Sequence, residues 1–327
     1  MQMICKCKPF AKIGDYMKSA KKNLFLLCCA ALAAITLASC VKATKPENDT
    51  TGKLKVSVTF NALKEMAQAV GGEYAAISTI IPDGTEPHDF EPKAQDMEAL
   101  SKADVFVYNG LGLESWAPKA VEAAKNNKLI AVNASEGAEP IQVEKESIKT
   151  DSAKDGQKGT DPHLWLSLKG AQIQTRNIAN AFGKADPAHA AMYEKNADAF
   201  IADLENLYAE YAKKISAAPS NVIVTGHAAF GYLCKDFGLE QNSIEDVFAS
   251  GEPSPQQLAT LIEFARAKKV KTIFVETMVS PAVSQTLAAE IGAKVVAIYT
   301  MESAEDGKSY LERMRVNLDA IYSSLTE

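Results

Sequence analysis

The sequence predicts an α/β protein of two βα lobes with mainly parallel sheets, bridged by one long rigid helix. Three observations predict it. Short β-rich runs alternate with helical patterns from residue 53 to 133, as in a sheet whose strands are joined by crossover helices. The same alternation resumes after residue 218. Between the two series, Ala190, Tyr193, Ala197, Phe200, Leu204, Leu207 and Tyr211 recur at three- and four-residue steps, one face of a single long helix. The 327 residues, 47% hydrophobic and 23% charged, have globular composition and enough length for a sizeable core.

The chain opens on a segment unlike the rest. Its net charge of −6 divides into +5 for residues 1–39 and −11 for the remainder. Six lysines run into an uncharged apolar stretch at 24–35, closed by Leu37-Ala38-Ser39-Cys40. A basic start, a short apolar run and a small-residue exit describe a secretory signal peptide over 1–39. The run is too short for a membrane span, which needs about 20 apolar residues. Met17, just before Lys18, is an alternative start. Leu-Ala-Ser-Cys resembles the lipobox of bacterial lipoproteins, which implies cleavage before Cys40 and lipidation of its thiol. Cys5, Cys7, Cys28 and Cys29 would leave with the leader, so Cys40 and Cys234 remain and no disulfide framework is expected. Residues 40–52, polar with Pro46 and Gly52, form a lipidated tether.

An N-terminal lobe is expected over 53–185, with strands at 54–59, 74–81, 105–108 and 129–132 and helices at 60–70, 94–103 and 115–126. Residues 134–160 carry six acids and four lysines without a period and read as a long solvated loop. A helix at 168–184 precedes the bridging helix, 186–217, where Asp186-Pro187 supplies a cap and a first-turn proline. The C-terminal lobe, 218–327, is expected to hold strands at 222–225, 241–244, 272–275 and 294–299. Its helices fall at 229–237, 254–268, 281–291 and 308–325.

Of four histidines, His88, His163 and His227 lie at strand ends or in loops, and His189 lies in the first turn of the long helix, where solvent exposure is expected. In open α/β sheets ligands bind beyond the carboxyl ends of strands, and a cleft between lobes is the default site. Imidazole is the commonest protein metal ligand. Spacings of 75 and 64 residues are no local metal motif, so a shared site would have to be assembled by tertiary structure. Its ligands must be neutral, so affinity should fall below about pH 6.5.

The residues around these histidines carry a resemblance. Pro87-His88-Asp89-Phe90-Glu91-Pro92, Asp161-Pro162-His163-Leu164-Trp165-Leu166 and Gly226-His227-Ala228-Ala229-Phe230 resemble the three histidine motifs of the zinc/manganese solute-binding lipoproteins of ABC transporters (metal-binding cluster A-I type). Glu252-Pro253-Ser254-Pro255-Gln256-Gln257-Leu258, the 272–276 strand and the C-terminal Lys308, Tyr310, Met314 and Asn317 extend it over about residues 53–325. The resemblance implies a metal site in the cleft, with His88 and His163 from the first lobe and His227 from the second. The fourth ligand would be Glu302, whose place a water takes in some members. A third histidine points to the zinc branch, similar to zinc/laminin-binding lipoproteins. Three imidazoles and one carboxylate suit Zn²⁺ better than Mn²⁺.

The implied protein is a receptor that delivers Zn²⁺ to a membrane permease and its ATPase. It would be a monomer, exported and lipid-anchored through Cys40 on the extracytoplasmic or periplasmic face of a bacterial membrane. A manganese receptor of the same class and a zinc-dependent adhesin are the alternatives. The loop at 134–160 has no histidine, so a metal-collecting role is not implied for it. Glu276 ends a strand near the same face and would either orient a ligand histidine or pair with a cation. Trp165, Phe90 and Phe230 would pack around the site. Net negative charge excludes a nucleic-acid binder held by phosphate contacts. The lack of an HExxH helix, together with a filled fourth position, argues against a zinc hydrolase.

Overall fold

The computed structural model describes residues 52–143, 159–247, 249, 253–276, 281–304 and 306–327. The expected leader, Cys40, nearly all of the tether and the middle of the acidic loop lie outside these residues. No helix among those described is long and apolar enough to cross a membrane.

The first series comprises β1 (Leu54–Val58), α1 (Asn61–Gly71), β2 (Ala75–Thr79), α2 (Ala94–Lys102), β3 (Val105–Tyr108), α3 (Ala117–Ala124) and β4 (Ile130–Asn133). Its strands form one parallel sheet in the order β2-β1-β3-β4. Val56 lies opposite Ile77 on one side and Val105 on the other. β1 and β3 are buried almost throughout, as strands covered by helices on both faces must be. α1 turns Leu63, Met66, Ala67 and Val70 inward and stops at Gly72, whose φ of 51° is open to a residue without Cβ.

The acidic loop is not structureless at its ends. β5 (Gln142–Val143) and β6 (Gly159–Thr160) pair antiparallel, and Asp161 N donates to Ile141 O at 2.9 Å. A two-residue ladder has no periodicity to read, which is why the sequence reads as plain loop. A 3₁₀ turn, Leu164–Leu166, then leads into α4 (Leu168–Ala185), capped by Ser167 Oγ accepting from Gly170 N.

The long helix α5 (Ala190–Ser216) follows a 3₁₀ turn at Pro187–His189. Its 27 residues span about 40 Å at 1.5 Å per residue. It buries Tyr193, Ala197, Leu204, Leu207, Tyr211 and Ile215. Asp186 does not cap the backbone as expected. Its Oδ2 accepts instead from His189 Nδ1 at 2.7 Å and Tyr193 OH at 2.9 Å. His189 is accordingly half-buried, stacked on Tyr74 with centroids 4.4 Å apart, rather than simply solvated.

The second series comprises β7 (Val222–His227), α6 (Gly231–Phe237), β8 (Glu240–Glu245), α7 (Pro255–Ala267), β9 (Thr272–Glu276), α8 (Ala282–Ile291), β10 (Lys294–Ile298) and α9 (Tyr310–Leu325). Its parallel sheet runs β10-β9-β7-β8. β7 and β9 are buried end to end. Ser254 and Ser309 open α7 and α9 with capping boxes completed by Gln257 and Glu312, which satisfies otherwise orphaned backbone donors.

One apolar core runs through both series. It joins Val58, Phe60 and Met66 to Trp165, Tyr193 and Leu204 and on to Phe230, Phe274 and Met314. α5 packs on α1 and α4 from the first half and on α9 from the second. Smaller clusters cover the outer faces, around Phe106 and Trp116 on one sheet and Ile244, Leu261 and Leu287 on the other.

Candidate metal centre

The carboxyl end of each sheet contributes to one cluster. His88 lies in the turn-rich segment after β2, and its backbone N donates to Glu86 Oε1 at 3.2 Å. His163 sits just before the 3₁₀ turn leading to α4. His227 is the last residue of β7, two residues beyond the strand end expected from the sequence. Glu302 lies in the loop between β10 and α9.

That loop is tied to the first half of the chain at four points. Asn61 N donates to Glu302 O at 3.2 Å, and Trp165 Nε1 to Thr300 O at 2.7 Å. Gly84 N donates to Ser303 Oγ at 2.9 Å, and Ala304 N to Asp83 Oδ1 at 2.9 Å.

The three imidazoles converge through the same atom. His88 Nε2 lies 3.1 Å and His227 Nε2 3.3 Å from His163 Nε2. Ligand atoms from His88, His163, His227 and Glu302 all lie within 4.8 Å of one another. A tetrahedron with bonds of about 2.05 Å sets neighbouring ligand atoms about 3.3 Å apart, so the imidazole spacing already matches a Zn²⁺ coordination shell.

A neighbouring carboxylate sets which nitrogen of His163 carries the proton. Asp161 Oδ1 accepts from His163 N at 2.9 Å and lies 2.9 Å from His163 Nδ1. A carboxylate accepts, so the proton sits on Nδ1 and the Nε2 lone pair faces the cluster. Glu276 Oε1 accepts from His227 N at 3.1 Å and lies 3.4 Å from His227 Nδ1. Of the two roles open to Glu276 in the sequence, the contact made is the one with the histidine.

Glu302 Oε2 accepts from Thr300 Oγ1 at 2.9 Å, while its Oε1 is buried without a hydrogen-bond partner. A buried, unmatched carboxylate oxygen is costly unless a ligand completes it.

Burial sets the proton affinities. It pushes His88 down to about 2, helped by the other two imidazoles, and holds His163 well below its usual range. Burial acts to lower His227 as well, but the carboxylates of Glu276, Glu302 and Glu86 outweigh it and raise this imidazole. Burial lifts Asp161 to about 7 and Glu302 to about 8, and it also raises Glu86. These shifts move the cluster away from ordinary histidine titration near pH 6.5, with Glu302 and His227 both raised.

The sequence reading missed Asp161, Glu86 and two glycines. The signal for Asp161 was its place two residues before His163, where a side chain can cap the backbone it precedes. A Cβ on Gly231 would lie 2.5 Å from Asp161 Oδ2, and one on Gly226 would lie 2.0 Å from Glu276 Oε2. Both glycines thus make room for the carboxylates that orient the histidines. Gly226→Ala is expected to displace Glu276 and weaken metal binding about 10–100-fold, the range for losing such a partner; a competition titration measures it. Trp165 and Phe230 are fully buried. The Trp165 ring lies 5.0 Å from that of His163.

Several known proteins resemble the chain. A Treponema pallidum (strain Nichols) protein described as a candidate metal-binding protein is 46% identical over 304 residues, covering 91% of this chain and 96% of its own. The high-affinity zinc uptake system protein ZnuA of Bacillus subtilis (strain 168) is 36% identical over 86% of this chain and 91% of its own. Among solved structures, a mutant laminin-binding adhesin (Lmb) from Streptococcus agalactiae superposes with a TM-score of 0.76 at 36% identity, covering 83% of this chain and 99% of its own. Residues 56–324 match the family described as ZnuA, zinc-uptake complex component A, periplasmic, and the chain belongs to that family.

Proposed function

We propose that the chain is an extracytoplasmic receptor that binds Zn²⁺ through His88, His163, His227 and Glu302 and delivers it to an ABC-type permease for import. The carrying observation is the convergence of three Nε2 atoms at 3.1 and 3.3 Å beside a buried carboxylate oxygen that has no protein partner. The ion is cargo, so nothing in the scheme requires catalysis. In this reading the mature chain begins at Cys40, which carries the lipid, and residues 40–52 tether lobes of 53–185 and 218–327 joined through 186–217.

Zn²⁺ is favoured over Mn²⁺ because three neutral imidazoles form a borderline-soft set, whereas Mn²⁺ prefers oxygen. The relatives include a manganese ABC transporter substrate-binding lipoprotein, PsaA of Streptococcus anginosus, 33% identical over 94% of this chain, so both ions belong in the test. Titration of metal-free protein against a competing chelator should give one tight Zn²⁺ site, lost when all three histidines are replaced by alanine. Micromolar binding, or unchanged binding by that variant, would overturn the proposal. The likeness to a laminin-binding adhesin supports a second, compatible role, checked by binding of the protein to immobilised laminin.

A pH dependence follows with a definite sign. Because Glu302 is raised to about 8, the metal-free protein holds that proton at neutral pH and must release it to bind the ion. The proton released by Glu302, with any held by the raised His227 imidazole, makes affinity rise by at least about tenfold per pH unit up to about pH 8. Calorimetry in buffers of different ionisation enthalpy counts the protons, and Glu302→Gln should lower the count by one.

A further inference from the structure

We propose that Glu86 is a metal-binding residue of the capture step: its carboxylate takes the hydrated cation at the mouth of the site and passes it to His88. The proposal rests on the Zn²⁺ site described above and deepens it.

Glu86 Oε1 lies 4.0 Å from His88 Nε2, the same nitrogen that faces His163 Nε2 at 3.1 Å. Two donors sharing one ion, each about 2.0–2.2 Å from it, lie at most about 4.2 Å apart. The pair is therefore spaced to hold a cation jointly before it moves inward. Exposure falls along that path. The Glu86 side chain is 38% exposed and that of His88 6%; His163 is fully buried. At the inner end waits Glu302 Oε1, buried and without a partner.

The carboxylate is also held in place. Glu86 Oε1 accepts from His88 N at 3.2 Å, and Pro87 between them restricts the backbone. A carboxylate at the mouth replaces one water of the hydrated ion, and imidazoles then replace the others. Zn²⁺ moves inward because the inner set offers three nitrogens. Once the four inner ligands close on it, the tetrahedron is complete and Glu86 is released.

A residue that acts only on the path lowers the barrier for loading and unloading alike. Stopped-flow mixing of the metal-free protein with Zn²⁺ and a chromophoric chelator reads both rates. Glu86→Gln should lower kon and koff together by about tenfold and leave Kd within about threefold. The effect should persist at about 0.5 M salt, where general attraction by the acidic surface is screened. Glu86→Asp should recover most of kon. Glu91→Gln, which removes the same charge from an exposed neighbour, should leave kon unchanged. An unchanged kon in Glu86→Gln, or a weaker Kd arising from koff alone, overturns the capture role. Wild-type affinity in His163→Ala would instead overturn the site assignment on which it rests.

Discussion

His163→Ala is expected to weaken Zn²⁺ binding by more than about a hundredfold, the upper range for losing even a residue that only orients a ligand. His163 is the hub of the cluster, because its Nε2 faces both His88 and His227. Removing it takes away one ligand and separates the other two. It also strands Asp161, whose buried carboxyl loses the imidazole it orients. Ligand-induced stabilisation should fall in step. An ion present at a hundredfold its Kd stabilises the wild type by about 2.7 kcal/mol, and that gain nearly vanishes when Kd rises a hundredfold. Melting curves with and without Zn²⁺ and a chelator competition measure both quantities. His88→Ala, at the rim of the cluster, gives a second reading with less disturbance of the core. Affinity within threefold of wild type in both variants would rule out the proposed ligand set.

Trp165→Ala should destabilise the metal-free fold by about 3–5 kcal/mol, the cost of deleting a large buried aromatic side chain. Trp165 is fully buried and packs edge-on against Phe60 with centroids 4.7 Å apart. Its indole donates to Thr300 O at 2.7 Å, and its own carbonyl accepts from Tyr310 OH at 2.6 Å. The indole thereby ties the loop carrying Glu302 to the segment carrying His163. Trp165→Phe keeps most of the packing and leaves Thr300 O without that donor, at about 1–3 kcal/mol. Denaturant titration of the metal-free protein separates the two terms. A loss below about 1 kcal/mol for the alanine variant would show that this contact does not hold the halves together.

The βα rhythm was legible because burial on both faces of parallel strands leaves apolar runs such as Val105–Tyr108 and residues 273–275. Strand order was not legible, since β1 sits between β2 and β3 through pairings that no local pattern encodes. His88, His163 and His227 stood out because histidine is scarce here and each ends or follows a strand. The carboxylates around them did not stand out. Glu86 lies in a turn-rich acidic loop and Asp161 follows a charged insertion, so both look like solvated acids until the fold sets Glu86 beside His88 and buries Asp161. His189 misled in the opposite direction, because a polar helix start hid the aromatic partner supplied by Tyr74.

The cluster draws its candidate ligands from positions 88 to 302, and its last loop is fastened to Asn61, Asp83 and Gly84. Contacts this distant in sequence form late, since the intervening chain must be ordered first. An incompletely folded chain therefore leaves these side chains scattered rather than gathered in one cluster. Under the proposed function, loading would then wait until the chain has folded, and the ion acquired would be the one available where folding ends.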